Sequence, residues 1–218
     1  KSNIMGFYRG PNIVTDGLIY AIDAGSERSY SGSGTSVTDL VEANTGTLTN
    51  GVAYVSSNGG SFDFDGTDDY IALGNPTVLQ DLTTGTIQAV YYRDASAGTY
   101  QMLFNDGGSN LELTYSGNTL QFYIGNSGLS YTHAVVGEWF FVTGTWASGS
   151  KKLYLNGSEV ASGTNTGIDT GDIARFLGGR GANFPFNGQI PTIKIYNKAL
   201  TAAEVLQNFN AQKSRFGL

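Results

Sequence analysis

Apolar and polar residues alternate in short runs along most of the chain. In Ser61-Phe-Asp-Phe-Asp65, Phe62 and Phe64 alternate with Asp63 and Asp65, the period of a half-buried strand. Asp65-Gly-Thr-Asp68 supplies turn residues and Tyr70-Ile-Ala-Leu73 opens another strand, so the pattern predicts a hairpin. Leu18 to Asp23 reads as the first strand, after an Asp16-Gly17 turn. Residues 24 to 58 are rich in Gly, Ser, Thr and Asn, which predicts long surface loop with short strands near Thr47-Leu48 and Ala53-Tyr54. Further strands are predicted at Thr86–Tyr92, Tyr100–Phe104, Leu111–Tyr115, Leu120–Ile124, Lys152–Leu155, Ile173–Leu177 and Ile193–Tyr196. Glu138 to Trp146 is apolar on both faces, as a central strand would be.

The punctuation agrees with that reading. Ser116-Gly-Asn118 predicts a tight hairpin link, and Asn156-Gly157 a type I′ turn. Pro191 cannot donate to a ladder, so its strand begins at an edge or a bulge. One helix is clear: Thr201 and Glu204 form a capping box, and Val205, Leu206 and Phe209 recur at helical spacing up to about Gln212. Many short strands with Gly-rich turns mean an all-β sandwich or barrel. The expected architecture is a two-sheet antiparallel sandwich with one short C-terminal helix. Phe64, Phe122 and Trp139 are expected in its core, each stabilising it by roughly 1.5–3 kcal/mol or somewhat more. Residues 1–16 read as an N-terminal arm, 17–200 as the sandwich, and 201–218 as a helix and tail packed on the same domain.

Composition narrows the function classes. The chain has 218 residues, of which 31 are Gly, roughly twice the usual share of about 7%. With 12% aromatic residues this means turns and strands rather than disorder. Asp and Glu number 18 against 12 Lys and Arg, a net charge of −6, which argues against a nucleic-acid surface and against anionic lipid. There is no cysteine, so no disulfide or thiolate metal site supports the fold. No run reaches the roughly 18 apolar residues of a membrane helix, and no signal peptide is visible. The chain begins with Lys1, as a processed product or a trimmed piece would.

The Phe62–Leu73 stretch resembles the signature of laminin G-like domains in the concanavalin A-like jelly rolls. Trp139-Phe-Phe-Val142 followed by Lys152-Leu-Tyr-Leu-Asn-Gly-Ser-Glu-Val160 resembles that family's tryptophan strand and its following hairpin. Phe186-Asn-Gly-Gln-Ile190 and Ile193 to Val205 resemble the closing strand and short helix, and Asp39-Leu40 with Asn44 to Leu48 resembles the loop before the Phe-Asp-Gly run. The resemblance spans about Gly17 to Val205 and implies a lectin-like jelly roll. The end segments, Gly10–Leu18, Ile22–Gly25, Ser29–Thr35 and Val205–Gly217, resemble concanavalin A-like proteins of tailed, chiefly marine, bacteriophages. That second resemblance implies a non-enzymatic virion structural protein, a capsid decoration or fibre component on the particle surface. Its implied partners are phage capsid or tail proteins, further copies of itself and host polysaccharide. The alternatives are a carbohydrate-binding module of a secreted bacterial enzyme or adhesin and, third, a glycoside hydrolase.

Candidate chemistry is sparse. Glucanases of the resembled fold carry a Glu-x-Asp-x-x-Glu run, absent here, where Glu112 stands alone between Leu111 and Leu113. His133 is the only histidine and reads as structural or surface rather than as the base of a triad. Asp65, Asp68 and Asp69 could hold a hard cation, but the reading favours an ordinary Asp-rich turn, and no cofactor is expected. The family's closing strand often carries two Asp where Pro191 and Thr192 stand here, which puts a calcium site there in doubt. The sharper feature comes from alternation. With Ile87, Ala89, Tyr91, Leu120, Phe122 and Ile124 inward, an outward set of Gln88, Tyr92, Gln101, Glu112, Gln121 and Tyr123 is predicted on one face. Amides, an acid and flat rings suit a sugar; the same set also fits a subunit interface or a plain solvated face.

Overall fold

The computed structural model describes residues 11–95, 100–108, 110–125, 127–167 and 174–218. Its strands form two antiparallel sheets. The first runs β14 (Ser158–Gly163), β13 (Ser150–Leu155), β12 (Trp139–Ala147), β7 (Gly85–Arg93), β16 (Asn187–Tyr196), β5 (Ser61–Asp65), β4 (Ala53–Val55), with β1 (Leu18–Asp23) also pairing β16. The second runs β11 (Ser127–Thr132), β10 (Thr119–Ile124), β9 (Leu111–Ser116), β8 (Tyr100–Asn105), β15 (Arg175–Leu177), β6 (Tyr70–Gly74), β3 (Thr45–Thr49), β2 (Ser36–Thr38). The expected sandwich is therefore the observed one. Ile173, placed by the sequence at the head of β15, lies outside the described residues.

The core sits between the sheets. Phe62, Phe64, Ile87, Tyr91, Phe140 and Trp146 of the first sheet face Ile71, Phe104, Leu113, Tyr115 and Phe122 of the second. Tyr91 and Tyr115 meet across the gap, hydroxyl to hydroxyl at 2.6 Å, and Tyr115 also meets His133 Nδ1 at 2.6 Å. Both predicted hairpin turns form: Ser116 pairs Thr119, and Asn156 and Gly157 adopt φ of 50° and 80° between β13 and β14. Pro191 lies at a bulge where β16 changes its neighbour, from β5 over Asn187–Ile190 to β1 over Thr192–Tyr196. The strand is central rather than an edge, and the bulge spares Pro191 its missing donor.

Three expectations are corrected. Phe62–Leu73 is not a hairpin: β5 belongs to the first sheet and β6 to the second, so the Asp65–Asp69 turn is an arch between sheets. Alternation is the same in both cases, because each strand needs only one buried face. Trp139 is not in the main core. It points outward from the first sheet, where Val90, Phe141 and Phe216 form a second apolar layer with Phe209 and Leu218. The strand is apolar on both faces because the C-terminal segment covers its outside. On α1 (Ala202–Gln212), capped by the Thr201–Glu204 box as expected, Val205 is buried but Leu206 is 46% exposed. The second buried residue of the helix is Asn208, which accepts from Val14 N–H (2.7 Å) and donates to Gln88 Oε1 (2.8 Å) and Tyr196 OH (3.0 Å).

Candidate functional site

The six predicted site residues divide between the two sheets. Gln88 does point outward from β7, but into α1: it donates to Thr143 Oγ1 (3.1 Å), accepts from Asn208 and is buried. Tyr92 lies on that same outer face and packs its ring at 5.4 Å on Trp139, which in turn meets Phe216 at 4.9 Å. Both serve the docking of the C-terminal segment, since the first sheet's outer face is covered there. Gln101 is buried opposite Tyr115, and its amide donates to Ala95 O at 3.1 Å. A bulge between Met102 and Phe104 breaks the alternation that placed Gln101 outside; Leu103 and Phe104 both enter the core.

Glu112, Gln121 and Tyr123 remain together on the outer face of the second sheet. Tyr123 pairs Glu112 on β9, Glu112 pairs Asn105 on β8, and Asn105 pairs Phe176 on β15. One transverse row thus carries an aromatic ring at each end and an amide–carboxylate pair between. The two rings stand three strand steps apart, roughly 14 Å at about 4.8 Å per step. Asn105 Nδ2 donates to Glu112 Oε1 at 2.7 Å, and both residues are buried. Tyr123 and Phe176 are half-buried, and Phe176 leans edge-on against Tyr70 at 5.7 Å.

Tyr123 has a specific support. Its partner on β11 is Gly128, where a Cβ would stand 2.7 Å from the ring. The bare glycine lets the ring lie flat against β11. Gln121, two residues away on the same face, donates to Ser130 Oγ at 3.3 Å, and its Oε1 has no protein partner. Phe176, Tyr70 and Gly128 were missed by the sequence reading. The strand alternation around Tyr70 was visible, but the pairing of β6 with β15 was not.

The remaining candidates resolve differently. His133 is buried, edge-on to Phe140 at 4.4 Å, and its Nδ1 meets a tyrosine hydroxyl rather than a carboxylate. Burial, then the nearby Arg93 charge, holds its pKa below the ordinary value. It is a core histidine. Asp65, Asp68 and Asp69 each offer a carboxylate oxygen within 4.8 Å of the others. Asp65 and Asp68 reach solvent, whereas Asp69 is buried; burial and the charges of Asp65, Asp68 and Asp63 push its pKa up against one backbone hydrogen bond. An open cleft of about 210 Å³ lined by Thr83, Ser148, Asn165, Thr166 and Gly167 falls short of the roughly 300–1,000 Å³ of ligand pockets.

Known proteins bear out the architecture. The structure is similar to Trypanosoma rangeli sialidase, with a TM-score of 0.72, 17% identity, and coverage of 93% of this chain and 34% of that one. It is similar to domain 4 of AbnA, a GH43 extracellular arabinanase from Geobacillus stearothermophilus solved with arabinotriose, with a TM-score of 0.69, 19% identity, and coverage of 88% and 98%. It is also similar to the botulinum neurotoxin serotype D ligand-binding domain solved with N-acetylneuraminic acid, with a TM-score of 0.74, 14% identity, and coverage of 90% and 51%. The chain thus spans about a third of the sialidase and half of the toxin domain. At these identities the likeness shows the fold. No curated protein matches the sequence. A laminin G family model, described as the concanavalin A-like lectin/glucanases superfamily, matches residues 65–206, and with most of both sheets inside that span the chain belongs to that superfamily.

Proposed function

We propose that this chain is a non-catalytic, glycan-recognising module whose sugar-contacting surface is the outer face of the second sheet. The observation that carries the reading is Tyr123, a half-buried ring laid against Gly128 beside the amide of Gln121. A flat ring offers an apolar platform to a pyranose or furanose face, and the neighbouring Gln121 amide nitrogen, which gives one N–H to Ser130, keeps a second for a hydroxyl. Glu112 and Asn105 hold each other beneath that row, so the acid acts as a hydrogen-bonding floor. Cleavage of a glycosidic bond needs two carboxylates about 5–9 Å apart across the sugar, and the row supplies one. The arabinanase domain, matched over 98% of its length, supports a self-contained module of this size.

For its setting we propose the surface of a phage particle, as a decoration or appendage protein in several copies. The end segments support this by their resemblance to phage-encoded relatives, and multiple copies would let a weak single site anchor a particle. A module of a secreted bacterial enzyme is the other setting, and mass spectrometry of purified source particles separates the two.

The binding test is a glycan array, including arabinan and sialylated oligosaccharides, followed by calorimetry on any hit. Tyr123→Ala should abolish binding and leave the melting temperature nearly unchanged. Tyr92→Ala, on the opposite sheet, should leave binding intact and lower the melting temperature. Absence of binding to every glycan, or full affinity in Tyr123→Ala, overturns the reading.

A further inference from the structure

The arch that carries the chain from β5 to β6 holds more negative charge than a turn requires. Two of its polar groups are accounted for locally. Asp65 Oδ1 accepts the Thr67 N–H at 2.7 Å, and Asn50 Nδ2 donates to the Asp68 carbonyl at 3.0 Å, tying the arch to the Asn50–Gly51 turn between β3 and β4. Asp69 is different. It is only 3% exposed; its Oδ2 accepts the Asp65 N–H at 3.1 Å, and its Oδ1 has no partner. A buried carboxylate with one oxygen left unpaired is costly, and this one has two further carboxylate groups within 4.8 Å. Among the described residues, no salt bridge reaches Asp65, Asp68 or Asp69.

We propose that Asp65, Asp68 and Asp69 bind a calcium ion that pins the arch between the two sheets. Their carboxylate oxygens lie within 4.8 Å of one another. Calcium takes all-oxygen ligand sets at about 2.3–2.6 Å in flexible geometry, which suits three carboxylates converging on one turn. Magnesium demands near-ideal octahedral geometry at about 2.0–2.1 Å and keeps most of its water, so a three-carboxylate turn suits it less. Zinc favours nitrogen and sulfur donors, and this corner offers only oxygen. Water and backbone carbonyls would complete the six to eight ligands calcium takes. The arch adjoins one end of the glycan row, where Tyr70 packs on Phe176 at 5.7 Å, while Tyr123 and Gln121 stand at the other end, so calcium and glycan binding are read separately.

The experiment uses the full chain, stripped with chelator and titrated with calcium chloride by calorimetry, with melting followed in parallel. One saturable site and a higher melting temperature with calcium, but not with equal magnesium, are expected. Asp68→Asn is the informative variant, because among the described residues no hydrogen bond reaches its side chain. It should weaken calcium binding at least about tenfold while its metal-free form melts no lower than the parent. Asp69→Asn should lose the calcium-dependent rise and, relieved of repulsion, melt higher than the parent without metal. The inference fails if about 10 mM calcium, some tenfold above the weakest extracellular calcium modules, gives neither heat nor a melting shift. It fails equally if magnesium raises the melting temperature as much, since that would be screening of an acidic corner, or if Asp68→Asn keeps the parent affinity.

Discussion

Asn208→Ala should be among the most destabilising polar substitutions in this protein. The side chain joins three parts of the molecule: the segment entering β1 through Val14 N–H, the outer face of β7 through Gln88 Oε1, and β16 through Tyr196 OH. Tyr196 OH keeps a second partner, the Val14 carbonyl at 3.1 Å, so its loss is partial. Val14 N–H and Gln88 Oε1 have no other partner shown and would be left unpaired in a buried place. At about 1–3 kcal/mol for each of the two buried groups left unsatisfied, the cost is about 2–6 kcal/mol. For a domain of this size, at about 2–4 °C per kcal/mol, that lowers the melting temperature by roughly 4–24 °C. Urea denaturation gives the number directly, as a lower midpoint at unchanged slope. Gln88→Leu with Asn208→Leu should cost clearly less than the sum of the single changes, because both partners then become apolar. An unchanged midpoint in Asn208→Ala, or strict additivity in the pair, would refute the claim that this amide holds the helix to the sheet.

Three further outcomes follow from the packing and the charges. Gly144→Ala places a Cβ 2.5 Å from the fully buried Phe122 ring, so it should destabilise by about 1–3 kcal/mol through overpacking, measured as a melting shift. Lys194 is buried beneath α1, bonded to Thr192 and Gln212, and desolvation pulls its pKa from 10.5 to about 8. Above pH 8 the folded state has released a proton that the unfolded state still holds up to pH 10.5, so stability should climb across that window; Lys194→Met should abolish the climb and, at pH 7, melt higher than the parent. His133, held below its ordinary pKa of 6.5, is neutral in the fold and protonated sooner in the unfolded chain. Stability should therefore fall as pH drops below 6.5, and His133→Gln should flatten that part of the profile relative to the parent.

Much of this was legible along the chain. The alternation in Phe62–Phe64, Ile87–Tyr91 and Leu120–Ile124 named their buried faces correctly, because a strand's side chains must alternate and only one face needs to be apolar. Turn chemistry was equally local: Asn156-Gly157 and the Thr201–Glu204 box depend on backbone angles and neighbours within a few residues. The site was less legible. Gln88, Tyr92, Glu112, Gln121 and Tyr123 do point away from the core, yet alternation carries no information about which sheet a strand joins or what covers its outside. Gln101 failed for another reason, since one extra residue in β8 reverses the beat and nothing in Tyr100–Phe104 announces it.

The order of residues by itself determined most of the strands, the tight turns, the helix cap and most inward rings, since these follow from side-chain periodicity and short-range backbone preference; it missed β2 and β11 and put Trp139 inside. Only the folded arrangement decided that β5 and β6 part company into different sheets, that the C-terminal segment claims one outer face, and that Tyr123, Glu112, Asn105 and Phe176 share one row of the other. Those are matters of pairing between distant segments, set by the packing of the whole core and invisible in any local window.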